Sequence, residues 1–208
     1  MKRGRFITLE GGEGAGKTTA AAEVEAWLSQ RGRSIVRTRE PGGTPAAEKV
    51  RQLLLDPATG ELDPMTELLL MFAARAENLA RIIRPALEQG QDVLCDRFTD
   101  ASRAYQGGGR QLGINVVDRI AGIVHADLKP DLTLLLDVPV EIGMARVAGR
   151  GAGPDRFERA RGDFLERVRA SYLAQARLEP ERFAVIDAAR PLDEVRAQLR
   201  LALEQRLR

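Results

Sequence analysis

The 208-residue chain has one cysteine, Cys95, and one histidine, His125. A lone thiol closes no disulfide within the chain and builds no multi-cysteine zinc cluster, and a lone imidazole leaves the histidine-rich metal sites without ligands. Any metal used here must be held by oxygen. Aromatic residues are only 4% of the sequence, too few for a basic stripe interleaved with stacking rings, so no nucleic-acid partner is expected. Lysine is scarce, confined to Lys2, Lys17, Lys49 and Lys129, which leaves 28 of the 32 basic residues as arginine. Arginine forks match phosphate and carboxylate oxygens in pairs and so suit small anionic ligands. Most of them are expected simply to solvate helix faces, as Arg196, Arg200 and Arg206 would in the charged C-terminal stretch. No run approaches the ~20 apolar residues of a membrane span, and the basic opening MKRGRFITLE leads into no apolar run of signal-peptide length. No membrane partner is therefore expected, and the cytoplasm is the expected compartment.

What is present reads as an ordinary globular chain. Hydrophobic residues at 44% and charged residues at 30% lie near globular averages, and the length suffices to bury a core without staples, so a single domain over residues 1–208 is expected. Short apolar runs alternate with helical stretches. Strands are predicted at Phe6–Leu9, Ser34–Thr38, Asp92–Asp96, Leu132–Asp137 and Phe183–Ile186. Helices are predicted at Thr18–Gln30, at Met65–Gln89 with a kink or end at Pro85, near Ile114–Val124, after Pro139, and from Glu158 to about Leu178. Strands separated by helices imply an α/β fold: three layers, with a five-stranded parallel sheet flanked by helices. Ligands in such folds sit beyond the carboxyl ends of the strands, which is where function must be sought.

The first strand runs into Gly11-Gly12-Glu13-Gly14-Ala15-Gly16-Lys17-Thr18, followed by Thr19. This is the complete G-x-x-x-x-G-K-[ST] pattern, in the strand-to-helix context that gives it meaning. The glycines let backbone N–H groups turn inward around nucleotide phosphates at a helix N-terminus. Lys17 adds a point charge on the β and γ oxygens, and the Thr18 hydroxyl can ligate Mg2+. The third strand ends in Asp96-Arg97 beside that loop, so Asp96 reads as the magnesium-side carboxylate. Cys95, in the same run, reads as a small buried hydrophobe. The second strand ends in TREPGGT, which presents Arg39 and Glu40 around Pro41, and the third leads on to Ala104-Tyr105-Gln106 and a triple glycine expected to be mobile.

Together these residues resemble the bacterial thymidylate kinases, members of the P-loop nucleoside monophosphate kinase family. The resemblance spans nearly the whole chain. It rests on FITLEGGEGAGKTT at 6–19, TREPGGT at 38–44, VRQLLLD at 50–56, AAR at 73–75, DRF at 96–98, AYQGGGR at 104–110 and PDLTLLLDV at 130–138. Shikimate kinases, adenylate kinases and GTPases share the Walker loop but lack TREPGGT and AYQGGGR. The resemblance implies a kinase that phosphorylates dTMP with Mg-ATP in dTTP synthesis, generally as a homodimer.

It also implies roles. Arg97 would bridge the donor and acceptor phosphates, Arg51 would hold the monophosphate, and Arg39, Glu40 and Pro41 would line the dTMP site. Arg75 would bond a thymine carbonyl, and Ser102 and Gln106 would read the pyrimidine edge. Tyr105 would fill the space of a ribose 2′-OH, and Glu13 would take the 3′-OH. Some relatives carry a catalytic arginine inside the Walker loop where this chain has Gly14. The segment 147–157 resembles the short mobile lid of members lacking that arginine, with Arg150 as first choice for the lid cation and Arg156 as second. Arg146 and the segment after Asp187 are expected near the adenine. One departure stands out: Met71, with Phe72 beside it, occupies the place where an aromatic commonly stacks on the base. It keeps open a same-fold kinase acting on another (deoxy)nucleoside monophosphate. An ATP-switched binding module without turnover would have no use for TREPGGT or a lid arginine.

Overall fold

The computed structural model describes residues 3–126, 128–149, 157 and 162–207. The strand β1 (Phe6–Gly11) is buried along its whole length, as a strand covered on both faces must be. It lies between β3 (Asp92–Asp96) and β4 (Leu132–Asp137), with β2 (Ile35–Arg39) and β5 (Phe183–Asp187) at the edges. All the pairings are parallel, and the order is β2-β3-β1-β4-β5. The register sets Leu9 opposite Asp96 and Gly11 opposite Leu136, so the strand ends carrying the sequence motifs open at the same carboxyl-terminal end of the sheet.

One face of the sheet is covered by α1 (Lys17–Ser29) and α9 (Leu192–Arg206), whose Val24, Leu28, Leu199 and Leu203 pack on Ile7, Leu9, Leu134 and Leu136. The other face carries α4 (Arg84–Glu88), α5 (Thr99–Ser102) and α8 (Gly162–Leu178). Outside them lie α2 (Pro45–Leu55), α3 (Pro64–Asn78), α6 (Ile114–His125) and α7 (Val140–Ala148). Three layers result, as the sequence implied. α2 starts where it does because Thr44 accepts the Ala47 N–H at 3.2 Å and Pro45 follows at the first helical position, where a missing N–H costs nothing.

Two expectations change. The break assigned to Pro85 falls earlier: α3 ends at Asn78, a π-helical turn spans Leu79–Ile83, and Pro85 sits in the first turn of α4. A proline ring meets the carbonyl four residues before it, so the turn that widens is the one ahead of the ring. The triple glycine is packed rather than mobile, because Arg103–Gly109 forms a π-helical stretch with Gly107 and Gly109 buried. A β-carbon on Gly109 would press on Phe164 and Val168, and one on Gly108 on Ser171, all from α8. The glycines serve close helix packing. Of the lid segment, Val147 and Ala148 close α7 and Phe157 is buried, while Arg150 and Arg156 lie outside the described residues, as do residues 158–161 of the helix predicted to begin at Glu158.

Candidate active site

The loop after β1 takes its shape from glycines in conformations that L side chains avoid: Gly11, Gly14 and Gly16 have φ of 139°, 68° and 89°. Gly14 faces Gly143 of α7 so closely that a β-carbon on Gly14 would fall on the Gly143 carbonyl, and one on Gly143 would fall on the Glu13 carbonyl. This pairing explains why no arginine can stand at position 14 here. Lys17 Nζ donates to the Gly11 and Gly12 carbonyls, both at 3.1 Å. Burial, and then the nearby Arg97 charge, push the Lys17 pKa down from the usual lysine value. Thr18 and Thr19 are exposed in the first turn of α1. Arg146 donates to the Ala188 carbonyl at 2.9 Å and to the Gly14 carbonyl at 3.4 Å, and with Gly16, Thr19 and Arg190 it lines a cleft on the outer side of the loop.

On the inner side, Asp96 ends β3 with Oδ1 buried and without a hydrogen-bond partner. No group of three or more metal-ligating side chains occurs among the described residues. The orphaned Asp96 oxygen and the exposed Thr18 hydroxyl would together offer a sparse oxygen set. That set fits Mg2+, which takes one or two protein ligands and fills its shell with water and substrate phosphate, and it fits zinc poorly.

Arg97 follows Asp96 with φ of 69°, in the left-handed region that a long side chain enters only when its surroundings hold it there. Its Nη2 donates to Glu13 Oε1 at 2.8 Å and to the Tyr105 hydroxyl at 3.0 Å, and its Nη1 donates to the Tyr172 hydroxyl at 3.2 Å. Tyr105 in turn donates to Glu13 at 2.6 Å. The Tyr172 hydroxyl donates to Glu10 Oε2 at 2.7 Å, and burial, then the Asp100 charge, push the Glu10 carboxyl up to about 8.

A second cleft opens beyond Arg97, and most of the predicted acceptor residues line it: Glu13, Glu40, Pro41, Arg51, Met71, Arg75, Ser102, Tyr105 and Gln106, with Arg97 at the mouth shared with the Walker loop. Arg75, 2% exposed, donates from Nε to Glu40 Oε2 at 2.6 Å and from Nη2 to Ser102 Oγ at 3.1 Å. Its Nη1 is buried with no partner. Glu40 is thus spent on Arg75, and its pKa is raised by burial, which the Arg75 charge only partly offsets. Gln106 Nε2 donates to the fully buried Glu67 at 2.8 Å, leaving its amide oxygen for other donors. Arg51 donates to the Pro41 carbonyl at 3.0 Å, and burial, then Arg39, lower its pKa.

Two predicted acceptor residues lie elsewhere. Arg39 turns outward to Glu48, at 2.9 Å from Nη2 to Oε2, with its side chain 52% exposed. Phe72 is core, parallel to the His125 ring at 6.2 Å and beneath the Arg75 guanidinium at 4.4 Å. Met71 is therefore the member of that pair that meets the cleft, because neighbours on a helix point about 100° apart. Sequence reasoning missed Leu55, Phe98, Ala101 and Phe157 as apolar lining, and Glu10, Glu67 and Tyr172 as support. A carboxylate inside an apolar strand, as at Glu10, is a signal that could have found one of them.

The thymidylate kinase family model matches residues 9–199. The chain belongs to the thymidylate kinase family. Relatives named thymidylate kinase include those of Chromohalobacter salexigens, 60% identical over all of this chain and 98% of the relative, and Alkalilimnicola ehrlichii, 56% identical over 98% of this chain and 94% of the relative. The crystal structure of thymidylate kinase from Ehrlichia chaffeensis superposes with a TM-score of 0.78 at 34% identity, covering 97% of this chain and 99% of that one. Membership in the thymidylate kinases bears out the resemblance and the α/β fold class. No helix among the described residues is long and apolar enough to cross a membrane.

Proposed function

We infer that the chain transfers the γ-phosphoryl group of ATP to dTMP, yielding ADP and dTDP for dTTP synthesis. The observation that carries this is the pairing of a donor and an acceptor at the cleft floor: the unpartnered Arg75 Nη1 beside Gln106, whose amide nitrogen Glu67 already holds. A thymine edge offers a carbonyl to the first and a ring N–H to the second. Cytosine reverses the pattern, and rejecting it follows from the polar groups it would leave unpaired. Tyr105, tied to Glu13 and Arg97, supports exclusion of a ribose 2′-OH, and Glu13 would take the 3′-OH. Pro41 and Met71 would cover the base and sugar, with Glu40 acting through Arg75 and Ser102.

Phosphoryl transfer asks the protein for alignment and for cations around the moving group. The backbone N–H groups of Gly11, Gly12, Glu13, Gly14, Ala15 and Gly16 would cradle the ATP phosphates, with Lys17 on the β and γ oxygens, Thr18 and Thr19 at the helix start, and Arg146 toward the adenine. Arg97 would span donor and acceptor, and Arg51 would hold the dTMP phosphate. Asp96 and Thr18 would hold Mg2+, which when bound supplies positive charge across the β and γ phosphates. Since Gly14 has no room for a side chain, the last cation is assigned to Arg150 or, second, Arg156. Loss of such an arginine costs ~10³ to 10⁵ in rate. The reading places the enzyme in the cytoplasm, which holds ATP and keeps a thiol such as Cys95 reduced. It makes the enzyme a homodimer, through exposed apolar side chains on neighbouring helices such as Leu69 of α3 and Ile123 of α6.

ADP release with Mg-ATP and each of dTMP, dUMP, dCMP, dGMP, dAMP and CMP tests the acceptor. A dominant rate with dTMP is expected. Equal rates across the panel would reject the thymine pocket.

A further inference from the structure

The Arg97 side chain is held on one side by a residue that does not line the acceptor cleft. Its Nη1 donates to the Tyr172 hydroxyl at 3.2 Å, and that hydroxyl donates onward to Glu10 Oε2 at 2.7 Å. The other Glu10 oxygen accepts the backbone N–H of Phe98, the residue after Arg97, at 2.7 Å. The Arg97 N–H itself is fixed on the Leu9 carbonyl at 2.9 Å. Glu10 is fully buried and Tyr172 is 1% exposed, so neither side chain reaches the acceptor cleft, and neither lines it. One carboxyl group thus bears on both ends of a residue whose φ of 69° is costly for a non-glycine.

We propose that Tyr172 and Glu10 are a positioning pair that holds Arg97 in its left-handed conformation, with its guanidinium aimed between the two phosphate subsites. A burial role alone does not require this geometry. The Tyr172 ring already packs against Tyr105, at 6.3 Å between centroids, within the apolar cluster of Phe164 and Val168, and phenylalanine would fill that space equally well. What the hydroxyl adds is a fixed acceptor for one arm of Arg97. A guanidinium free to swing must be ordered during the reaction, and that ordering is charged to the transition state rather than to binding.

The inference rests on Arg97 acting on the transferring phosphoryl group, so the experiment separates the two ideas. Tyr172→Phe, Arg97→Ala and the double variant are compared by direct chromatographic measurement of dTDP formed, with KM for dTMP and for ATP and with thermal midpoints. Tyr172→Phe is expected to lower kcat about tenfold or more, the scale of one hydrogen bond to a charged group. Both KM values are expected to stay within about twofold, and the midpoint within a few degrees. In the Arg97→Ala background the same change should alter kcat by less than about twofold, because its target is gone. An undiminished kcat in Tyr172→Phe overturns the proposal. So does an equal loss in both backgrounds, which would make Tyr172 act independently of Arg97. Wild-type kcat in Arg97→Ala alone would instead remove the role of Arg97, and the proposal with it.

Discussion

Arg75 is where stability and specificity can be pulled apart. Arg75→Met deletes the guanidinium that bonds Glu40 at 2.6 Å and Ser102 at 3.1 Å, and leaves Glu40, itself 3% exposed, with the Asn78 amide at 3.4 Å. Breaking one side of a buried pair costs about 3–5 kcal/mol, so the single variant should lose that much in urea unfolding. Adding Glu40→Gln removes the stranded charge, and exchanging both members of such a pair is close to neutral. The double variant should therefore recover most of the stability. It should not recover dTMP recognition, because Nη1, the buried donor without a partner, is still missing. A hydrogen bond from a charged donor contributes about 1.5–3 kcal/mol, so kcat/KM for dTMP should stay roughly 10- to 150-fold below wild type in both variants, with KM for ATP little changed. Steady-state kinetics beside equilibrium unfolding decides it. A double variant that regains dTMP kinetics along with stability would show that Arg75 only braces the fold, and a selective loss on the ATP side would refute the assignment outright.

Three further outcomes follow from particular contacts. His125 is buried, with Nε2 at 2.7 Å from the Thr99 hydroxyl, and burial, then Arg75, lower its pKa from 6.5 to about 4. The unfolded chain takes up a proton near pH 6.5 that the native state refuses until about pH 4. Stability should thus fall as pH drops through that window, by about 2 kcal/mol between pH 7 and pH 5 on this account, and His125→Asn should show a shallower fall in the same urea titrations. Gly143→Ala would drive a methyl into the Glu13 carbonyl and should cost about 1–3 kcal/mol by overpacking, with KM for ATP raised; an unchanged KM would mean that α7 does not set the loop. Ile123→Glu, at a side chain 86% exposed, should convert the proposed dimer to monomer in sedimentation, and a dimer that persists would move the interface off α6.

The elements most legible in the sequence were those whose signal is local. β3 and β4 appear with the predicted bounds because unbroken apolar runs in a parallel sheet admit little else, and the Walker loop is legible because its glycines are demanded by backbone geometry. The stretch 99–109 was not. Three glycines in a row read locally as a flexible turn, and only the approach of Phe164, Val168 and Ser171 from α8 turns them into a packed π-helix. The cleft splits the same way. Arg75 and Gln106 follow from motif position, whereas Arg39 turning to Glu48 and Phe72 turning inward depend on partners nine or more positions away in sequence. Tyr172 carries no local signal either, since its partner Glu10 lies 162 residues away in sequence.

The most direct test of the account is whether purified protein given Mg-ATP and dTMP makes dTDP, resolved by ion-exchange chromatography, with Lys17→Ala run alongside. The wild-type chain should make dTDP and ADP in equal amounts, at a rate about 10² or more above that of the variant lacking the Lys17 charge. ADP without dTDP, or the same dTDP yield from Lys17→Ala, would contradict it.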